Sequence, residues 1–446
     1  MRPEGRGRQA PVEYQLLLTA TLCLLALGAV MVFSASSATG VLNETGGGGF
    51  QYLKKIVIFG AIGLLVMRFA SIKGARVTRA LTPVMVGVSL FLLACVLVPG
   101  VGQTVNGSQR WVGSGVLTFQ PSELAKVSLI LYGAHLLAAR PKMTRSLRDL
   151  GPYLLIVALA MLMVVMQPDL GTAMTTTFAV GALLLVAGVR PGTLAPVAAI
   201  GAVAIVGVIA ANPYQQDRLT GFLNPGADVE GAGYQSQQAQ IALGSGGTMG
   251  VGLGESVQKA SYLPEAHTDM ISAVLGEETG LAGMVILIGL LSMFGYAGFR
   301  AAHRARDRYG KLLAAGLTTL IMVQATINLF AVLGLAPLTG VPLPFVSYGG
   351  TSLIVTLASA GLIMNVARRQ SPASAKASRP AARPAARGGE RLRTVQGTGA
   401  RWSEAKPSTG AETRRRGTAG STSRDSGRRH GGPRRAGDSR RGRAAR

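Results

Sequence analysis

Ten apolar runs, each long enough to cross a hydrocarbon layer of about 30 Å as a helix of roughly 20 residues, recur along the first four-fifths of the chain. They lie near 14–36, 52–70, 81–99, 121–139, 151–167, 169–188, 191–211, 270–298, 311–335 and 351–367. Composition agrees. Across 446 residues, 48% are hydrophobic, 15% are charged and the mean hydropathy is +0.35, more apolar than one water-soluble core needs. The expected fold is an all-α polytopic membrane protein of about ten transmembrane helices, with a large external loop between the seventh and eighth. The first run is too long for a signal peptide and further spans follow it, so it is expected to stay as an anchor. The fifth and sixth runs are separated only by Gln167-Pro168-Asp169.

Basic residues mark the cytoplasmic side of a membrane protein. Arg2, Arg6 and Arg8, then Arg68, Lys73, Arg76 and Arg79, Arg140, Lys142, Arg145 and Arg148, Arg190, and the 300–311 cluster all fall on the side shared by both ends of the chain. The opposite side carries few: Lys54 and Lys55 at a helix start, Arg110, Arg218 and Lys259. Both termini are therefore expected in the cytoplasm, and residues 212–269 outside. This divides the chain into a cytoplasmic start (1–13), a transmembrane domain (14–367) and a C-terminal tail (368–446).

The tail holds 22 Lys and Arg against 5 Asp and Glu and almost no large apolar residue, so it is expected to be disordered. Its net charge of +17, out of +25 for the chain, accounts for most of the high isoelectric point. Nucleic acid is therefore not the expected partner. A polybasic segment beside a span is drawn to anionic lipid, at about 1 kcal/mol per basic residue, or to an acidic cytoplasmic protein. Cys23 and Cys95 both sit in apolar runs, which excludes a disulfide framework and a thiolate metal site.

The long external loop ends in Leu263-Pro264-Glu265-Ala266-His267-Thr268-Asp269, directly before an apolar run. Two acids and an imidazole at the membrane edge are expensive to hold there, which makes the segment a functional-site candidate. Glu277 and Glu278 interrupt sequence that should be embedded, so either they face a polar cavity or the helix is broken there.

These residues and several separated motifs resemble the SEDS family (shape, elongation, division and sporulation) from about Val30 to Ala367. The motifs are Val30-Met31-Val32-Phe33-Ser34-Ala35-Ser36, Arg110-Trp111 followed by Gln120-Pro121-Ser122-Glu123-Leu124-Ala125-Lys126, and Gln167-Pro168-Asp169-Leu170-Gly171-Thr172. Further along stand Gly233-Tyr234-Gln235, Leu263 to Asp269 with Gly276-Glu277-Glu278, and Pro337-Leu338-Thr339-Gly340-Val341-Pro342-Leu343-Pro344-Phe345-Val346-Ser347-Tyr348-Gly349-Gly350-Thr351-Ser352. The wording around Ser256-Val257-Gln258-Lys259 and Pro264-Glu265-Ala266-His267 looks more like the division branch than the elongation branch. Met270, Thr279 and the basic tail depart from the usual pattern, and none of them removes a candidate catalytic group.

The resemblance implies a glycosyltransferase that polymerises lipid II into glycan strands during septal wall synthesis, at the outer face of the bacterial cytoplasmic membrane, with undecaprenyl diphosphate released. It implies a class B penicillin-binding transpeptidase and other division proteins as partners. An α-linked donor and a β-1,4 product require one inverting displacement, and diphosphate leaves without an acid, so a single general base suffices. Asp269 matches the family's essential aspartate and is the expected base, its pKa raised by burial.

Diphosphate requires positive charge, for which Arg110, Lys126, Arg218 and Lys259 are the candidates. Each has a plainer reading: Arg110 as an interfacial anchor beside Trp111, Lys126 in a structural pair with Glu123, Arg218 and Lys259 as solvated loop charges. Asp169 either caps the next helix or lines the cavity. Glu265 and His267 are read as shaping the loop or bonding near the head group. No His or Cys cluster supports a structural metal site. No organic cofactor is expected, and a participating cation would be Mg²⁺ or Mn²⁺ on diphosphate oxygens. The competing readings are a lipid II flippase, whose charges should sit near the midplane in repeated halves, an elongation-type polymerase, and a scaffold whose tail recruits division proteins.

Overall fold

The computed structural model describes residues 11–42, 48–105, 108–114, 117–224, 231–260, 263 and 265–369. The first ten residues and 370–446 of the basic tail, with its expected disorder, lie outside them. In chain order the elements are α1 (Val12–Leu42), α2 (Gly48–Leu97), strands β1 (Gly102–Val105), β2 (Ser108–Ser114) and β3 (Leu117–Phe119), α3 (Pro121–Ala139) and α4 (Leu147–Met166). They continue with α5 (Leu170–Ala187), α6 (Pro191–Ala211), α7 (Pro213–Leu223), α8 (Ala232–Ser245), α9 (Ile271–His303), α10 (Arg308–Val332) and α11 (Gly350–Arg368).

Many helix ends fall where the sequence supplies a cap. The Ser146 hydroxyl accepts from the Arg148 amide (3.2 Å) at the start of α4, the Asp169 carboxylate from Thr172 (3.1 Å) at α5, the Asn212 side chain from Tyr214 (3.1 Å) at α7 and Asp307 from Gly310 (3.1 Å) at α10. Pro121 and Pro191 open α3 and α6 at a position where the missing amide is not needed.

Among the described residues, nine helical segments are long and apolar enough to cross a membrane, and the protein is multi-pass. α3 is a tenth helix of comparable length, 19 residues, distinguished by buried Glu123 and Lys126 in its first turns. Two of the nine segments, Phe50–Gly74 and Val77–Leu97, share α2. Run straight, these 50 residues would extend about 75 Å. Yet Tyr52 near the start packs on His267, and the Leu93 carbonyl near the end accepts from Gln167, both beside the site described below. The chain therefore doubles back within α2, and a helical reversal replaces the separate basic turn expected there.

α10 lies in the middle of the bundle, in contact with α3, α5, α9 and α11, while α11 runs along α2. Lipid gives no hydrophobic drive between helices, so close approach through small residues does the packing. A methyl on Gly361 would collide with the Met67 carbonyl, so α11 meets α2 almost backbone to backbone. α6 differs: it has no buried residue, and α7 is its principal neighbour.

Two features depart from a purely helical reading. The segment after the third span forms a three-stranded antiparallel sheet in the order β1-β2-β3, with Gly102 opposite Val112 and Val112 opposite Phe119. The stretch 212–269, expected as a loop, contains α7, α8 and a 3₁₀ turn, Gln258–Ala260.

Candidate active site

The chain enters α9 through a tight turn. The amides of Thr268 and Met270 donate to the Glu265 carbonyl (3.0 and 3.4 Å), and the Thr268 hydroxyl bonds both Glu265 Oε2 (2.7 Å) and Asp269 Oδ1 (3.1 Å). Glu265 adopts φ +56°, a left-handed conformation that costs a non-glycine residue energy and tends to persist where function requires it. His267 is wedged between the rings of Tyr52 (4.6 Å) and Tyr348 (5.6 Å), and its carbonyl accepts from the Tyr348 amide (3.0 Å). Burial lowers the His267 pKa against the opposing pull of Glu265, which favours a neutral imidazole.

Asp269 stands immediately before α9, partly enclosed. Burial and then the Glu265 charge push its pKa from an ordinary 3.8 to about 6, while Arg218, a backbone hydrogen bond and Thr268 pull the other way. Arg218, on α7, donates to the Leu338 carbonyl (3.0 Å) and the Tyr214 hydroxyl (2.6 Å), and lies 4.7 Å from the Tyr214 ring centre. Between them is Gly340, at φ +67°. A methyl there would sit 3.7 and 3.8 Å from the two terminal nitrogens of Arg218 and 3.9 Å from Asp269 Oδ2. Carboxylate and guanidinium thus flank one glycine without forming an ion pair with each other among the described residues.

The other basic candidates are paired. Lys126 contacts Glu123 (2.8 Å) and donates to Gln324 Oε1 (3.2 Å), all three buried. Arg110 Nε donates to the Gln167 carbonyl (3.0 Å), its terminal nitrogens reach the Pro168 carbonyl and stand 4.0 Å from Asp169, and so it pins β2 to the α4–α5 junction. Asp169 caps α5, a contact worth about 1 kcal/mol, and accepts from Gln120 (3.3 Å).

Lys259, expected as a loop charge or a diphosphate ligand, is instead buried, donating to Glu278 (2.8 Å), Ser34 (3.1 Å) and the Gly254 carbonyl (2.7 Å). Glu277 accepts from the Ser256 hydroxyl and from the Val257 amide (3.0 Å). Of the two alternatives foreseen for this acidic pair, a polar cavity or a broken helix, the second holds. The acids are buried and bonded directly to Lys259, Ser34, Ser256 and the Val257 amide, and the helix is broken two residues on at Gly280 (φ +64°, ψ −159°). The glycine loop fills the break: Val251 and Gly252 donate to the Glu277 and Glu278 carbonyls (3.0 and 3.1 Å), and Leu281 and Ala282 donate to those of Gly247 and Thr248 (3.0 and 3.2 Å).

Sequence reasoning passed over two residues of α10 that hold this face together. Asn328 and Gln324 lie one turn apart, both buried. Asn328 donates to the carbonyls of Asp269 and Val341 (2.8 Å each) and accepts from Ser272 (3.2 Å), and Gln324 donates to the Pro342 carbonyl (3.0 Å). The available signal was two amides at i, i+4 inside a span, which in lipid require partners.

Among the described residues no three His, Cys, Asp or Glu side chains gather to hold a metal. The donor set of the described residues does not make a resident cation site. What the geometry offers is a carboxylate able to take a proton near neutrality and a guanidinium aimed at the same gap.

Known proteins resemble this chain in sequence and in fold. The profile of the FtsW, RodA and SpoVE family, described as cell cycle protein, matches residues 14–372. Stage V sporulation protein E of Bacillus subtilis is 39% identical over 354 residues, 79% of this chain and 96% of that protein. The probable peptidoglycan glycosyltransferase FtsW of a Geobacter species is 38% identical over 364 residues, 80% of this chain and 98% of its own. A chain from a peptidoglycan synthase complex, solved in work on the coordination of polymerisation and crosslinking, superposes with a TM-score of 0.66 at 30% identity, covering 79% of this chain and 97% of the other. The rod shape determining protein RodA of Thermus thermophilus does so with a TM-score of 0.58 at 29% identity, covering 79% and 96%.

Proposed function

Since the chain belongs to the FtsW, RodA and SpoVE family of cell cycle proteins, we propose that its activity, that of a peptidoglycan glycosyltransferase, runs on lipid II with Asp269 as general base. The observation that carries this reading is the pair of opposite charges on either side of Gly340. Arg110, Lys126 and Lys259 are committed to carboxylates, whereas the hydrogen-bond partners of Arg218 are a carbonyl and a phenol, both neutral. Its charge is thus available to an incoming anion.

In the proposed step the acceptor sugar hydroxyl loses its proton to Asp269 as its oxygen bonds to the donor anomeric carbon. The bond from that carbon to the diphosphate breaks with inversion. The electron pair leaves on undecaprenyl diphosphate, whose growing charge meets Arg218. A positioned base contributes about 10²–10⁴-fold to such a transfer, and a carboxylate titrating near 6 is ionised at neutral pH while still basic enough to take the proton.

The site faces outward across the cytoplasmic membrane, with both termini inside, as the distribution of Lys and Arg supports. The strands it makes are crosslinked by a class B penicillin-binding transpeptidase, a reading supported by the synthase complex among its structural relatives. The loop wording before Asp269 supports a septal, division role. The first test is polymerisation of labelled lipid II by the full chain purified with its transpeptidase, wild type against Asp269→Asn. Glycan strands from the wild type only are expected. Strands from a folded Asp269→Asn would remove the base, and no strands from either protein, with lipid II transport intact in vesicles, would favour a flippase.

A further inference from the structure

Asp269 lies outside any regular helix, at the end of a turn, yet a general base must be held to within a fraction of an ångström of its substrate. Its carboxylate has one short side-chain tether, the Thr268 hydroxyl on a neighbouring residue that moves with it. The restraint that comes from elsewhere in the fold acts on the backbone. Both amide hydrogens of Asn328 are used, one on the Asp269 carbonyl and one on the Val341 carbonyl, each at 2.8 Å. The orientation of that amide is itself set by Ser272, whose hydroxyl donates to Oδ1 at 3.2 Å. One turn earlier on α10, Gln324 holds the next carbonyl, Pro342, at 3.0 Å and is braced by Lys126 and Glu123. Two successive carbonyls after Gly340 are thus gripped from one face of α10, and the same face grips Asp269.

We propose that Asn328 is a positioning residue for glycosyl transfer, a clasp that fixes the Asp269 backbone and the Gly340 wall of the site in one register. The proposal rests on the reading of Asp269 as the base. Asn328 is buried within α10 and meets Asp269 at its backbone carbonyl, not at its carboxylate, so it acts through the residues it holds. Its loss should therefore lower the rate of the chemical step and leave substrate affinity in place. A displacement of about 1 Å at a reacting group can lower a rate 10²-fold, so Asn328→Ala is expected to reduce kcat at least 10-fold with KM for lipid II within about 3-fold.

The experiment is steady-state polymerisation of labelled lipid II by the full chain with its transpeptidase, per folded molecule, for wild type, Asn328→Ala, Ser272→Ala and Asp269→Asn. The expected pattern is a fall in kcat at constant KM for Asn328→Ala and a smaller fall, about 2- to 5-fold, for Ser272→Ala. Unchanged kcat per folded Asn328→Ala molecule, or a KM that rises as kcat holds, would overturn the clasp and leave Asn328 as packing. If Asn328→Ala yields no folded protein, Ser272→Ala decides alone: a lowered kcat at constant KM supports the clasp, and an unchanged kcat rejects it. An active Asp269→Asn would instead overturn the reading beneath it, so the two failures are distinguishable.

Discussion

Replacing Asp269 with asparagine should abolish polymerisation and at the same time stabilise the fold at neutral pH. Burial and the neighbouring Glu265 raise its pKa from an ordinary 3.8 to about 6. The folded state therefore binds this proton more tightly than the unfolded chain does, the reverse of a salt-bridged aspartate. The sign follows: wild-type stability is undiminished below about pH 4, falls as pH rises through the window between 3.8 and about 6, and is level above it. At about 1.4 kcal/mol per pH unit, the penalty is about 3 kcal/mol near pH 7.5 and about 1 kcal/mol near pH 4.5, as an upper bound. Asparagine keeps the shape without the charge and escapes the penalty. Thermal unfolding of wild type and Asp269→Asn in the same detergent at both pH values should show a gain for the variant at 7.5, most of which is gone at 4.5. A gain of equal size at both, or a loss at 7.5, would mean that the carboxylate is not held at an energetic disadvantage and that its readiness to accept a proton has another origin.

Three further outcomes follow from the same geometry. Polymerisation by the wild type should rise with pH through about 6 as Asp269 ionises, and Arg218→Gln should move that limb to higher pH and lower the maximal rate about 10- to 10³-fold; a limb that stays in place in a pH–rate profile would separate the two groups. Gly340→Ala puts a methyl between Arg218 and Asp269 at φ +67°, with a backbone cost of about 1–2 kcal/mol; strand synthesis should fall at least about 10-fold in protein that still folds, and normal synthesis would show that substrate does not occupy that gap. Lys259→Met strands the buried Glu278 carboxylate at a cost of about 3–5 kcal/mol, much of which adding Glu278→Met should restore; an unfolding midpoint equally low in the single and double variants would refute the pairing.

The apolar runs made the helices legible, because a span of about 20 residues writes itself into composition. The break at Gly280 was half legible: two acids inside a span announced a fault, but its repair by the glycine loop depends on contacts with Gly247 and Thr248 more than 30 positions earlier, which no local pattern encodes. The reversal inside α2 was legible as two apolar runs with a basic stretch between them; what was hidden is that helix continues through the turn, which only the continuous helix Gly48–Leu97 reveals. Asp269 could be singled out from its setting and its family resemblance. The separation of Arg218 from the other basic residues could not, since all four are alike on paper and differ only in which of them meet a carboxylate. Asn328 and Gln324 went unread for a related reason: amides carry no charge to draw notice, although inside a span they are as much in need of partners.

α6 has no residue buried in the protein, and it runs through Asn212 directly into α7, the helix that carries Arg218. A helix surrounded by acyl chains takes its tilt and depth from the thickness of the layer around it, at fractions of a kcal/mol per Å of mismatch. Arg218 is therefore joined on one side to this outward-facing helix and on the other to the bundle through the Leu338 carbonyl, while Asp269 is moored through Asn328. Rates of strand synthesis in bilayers of different chain length would report how far that lipid-facing helix is felt at the site.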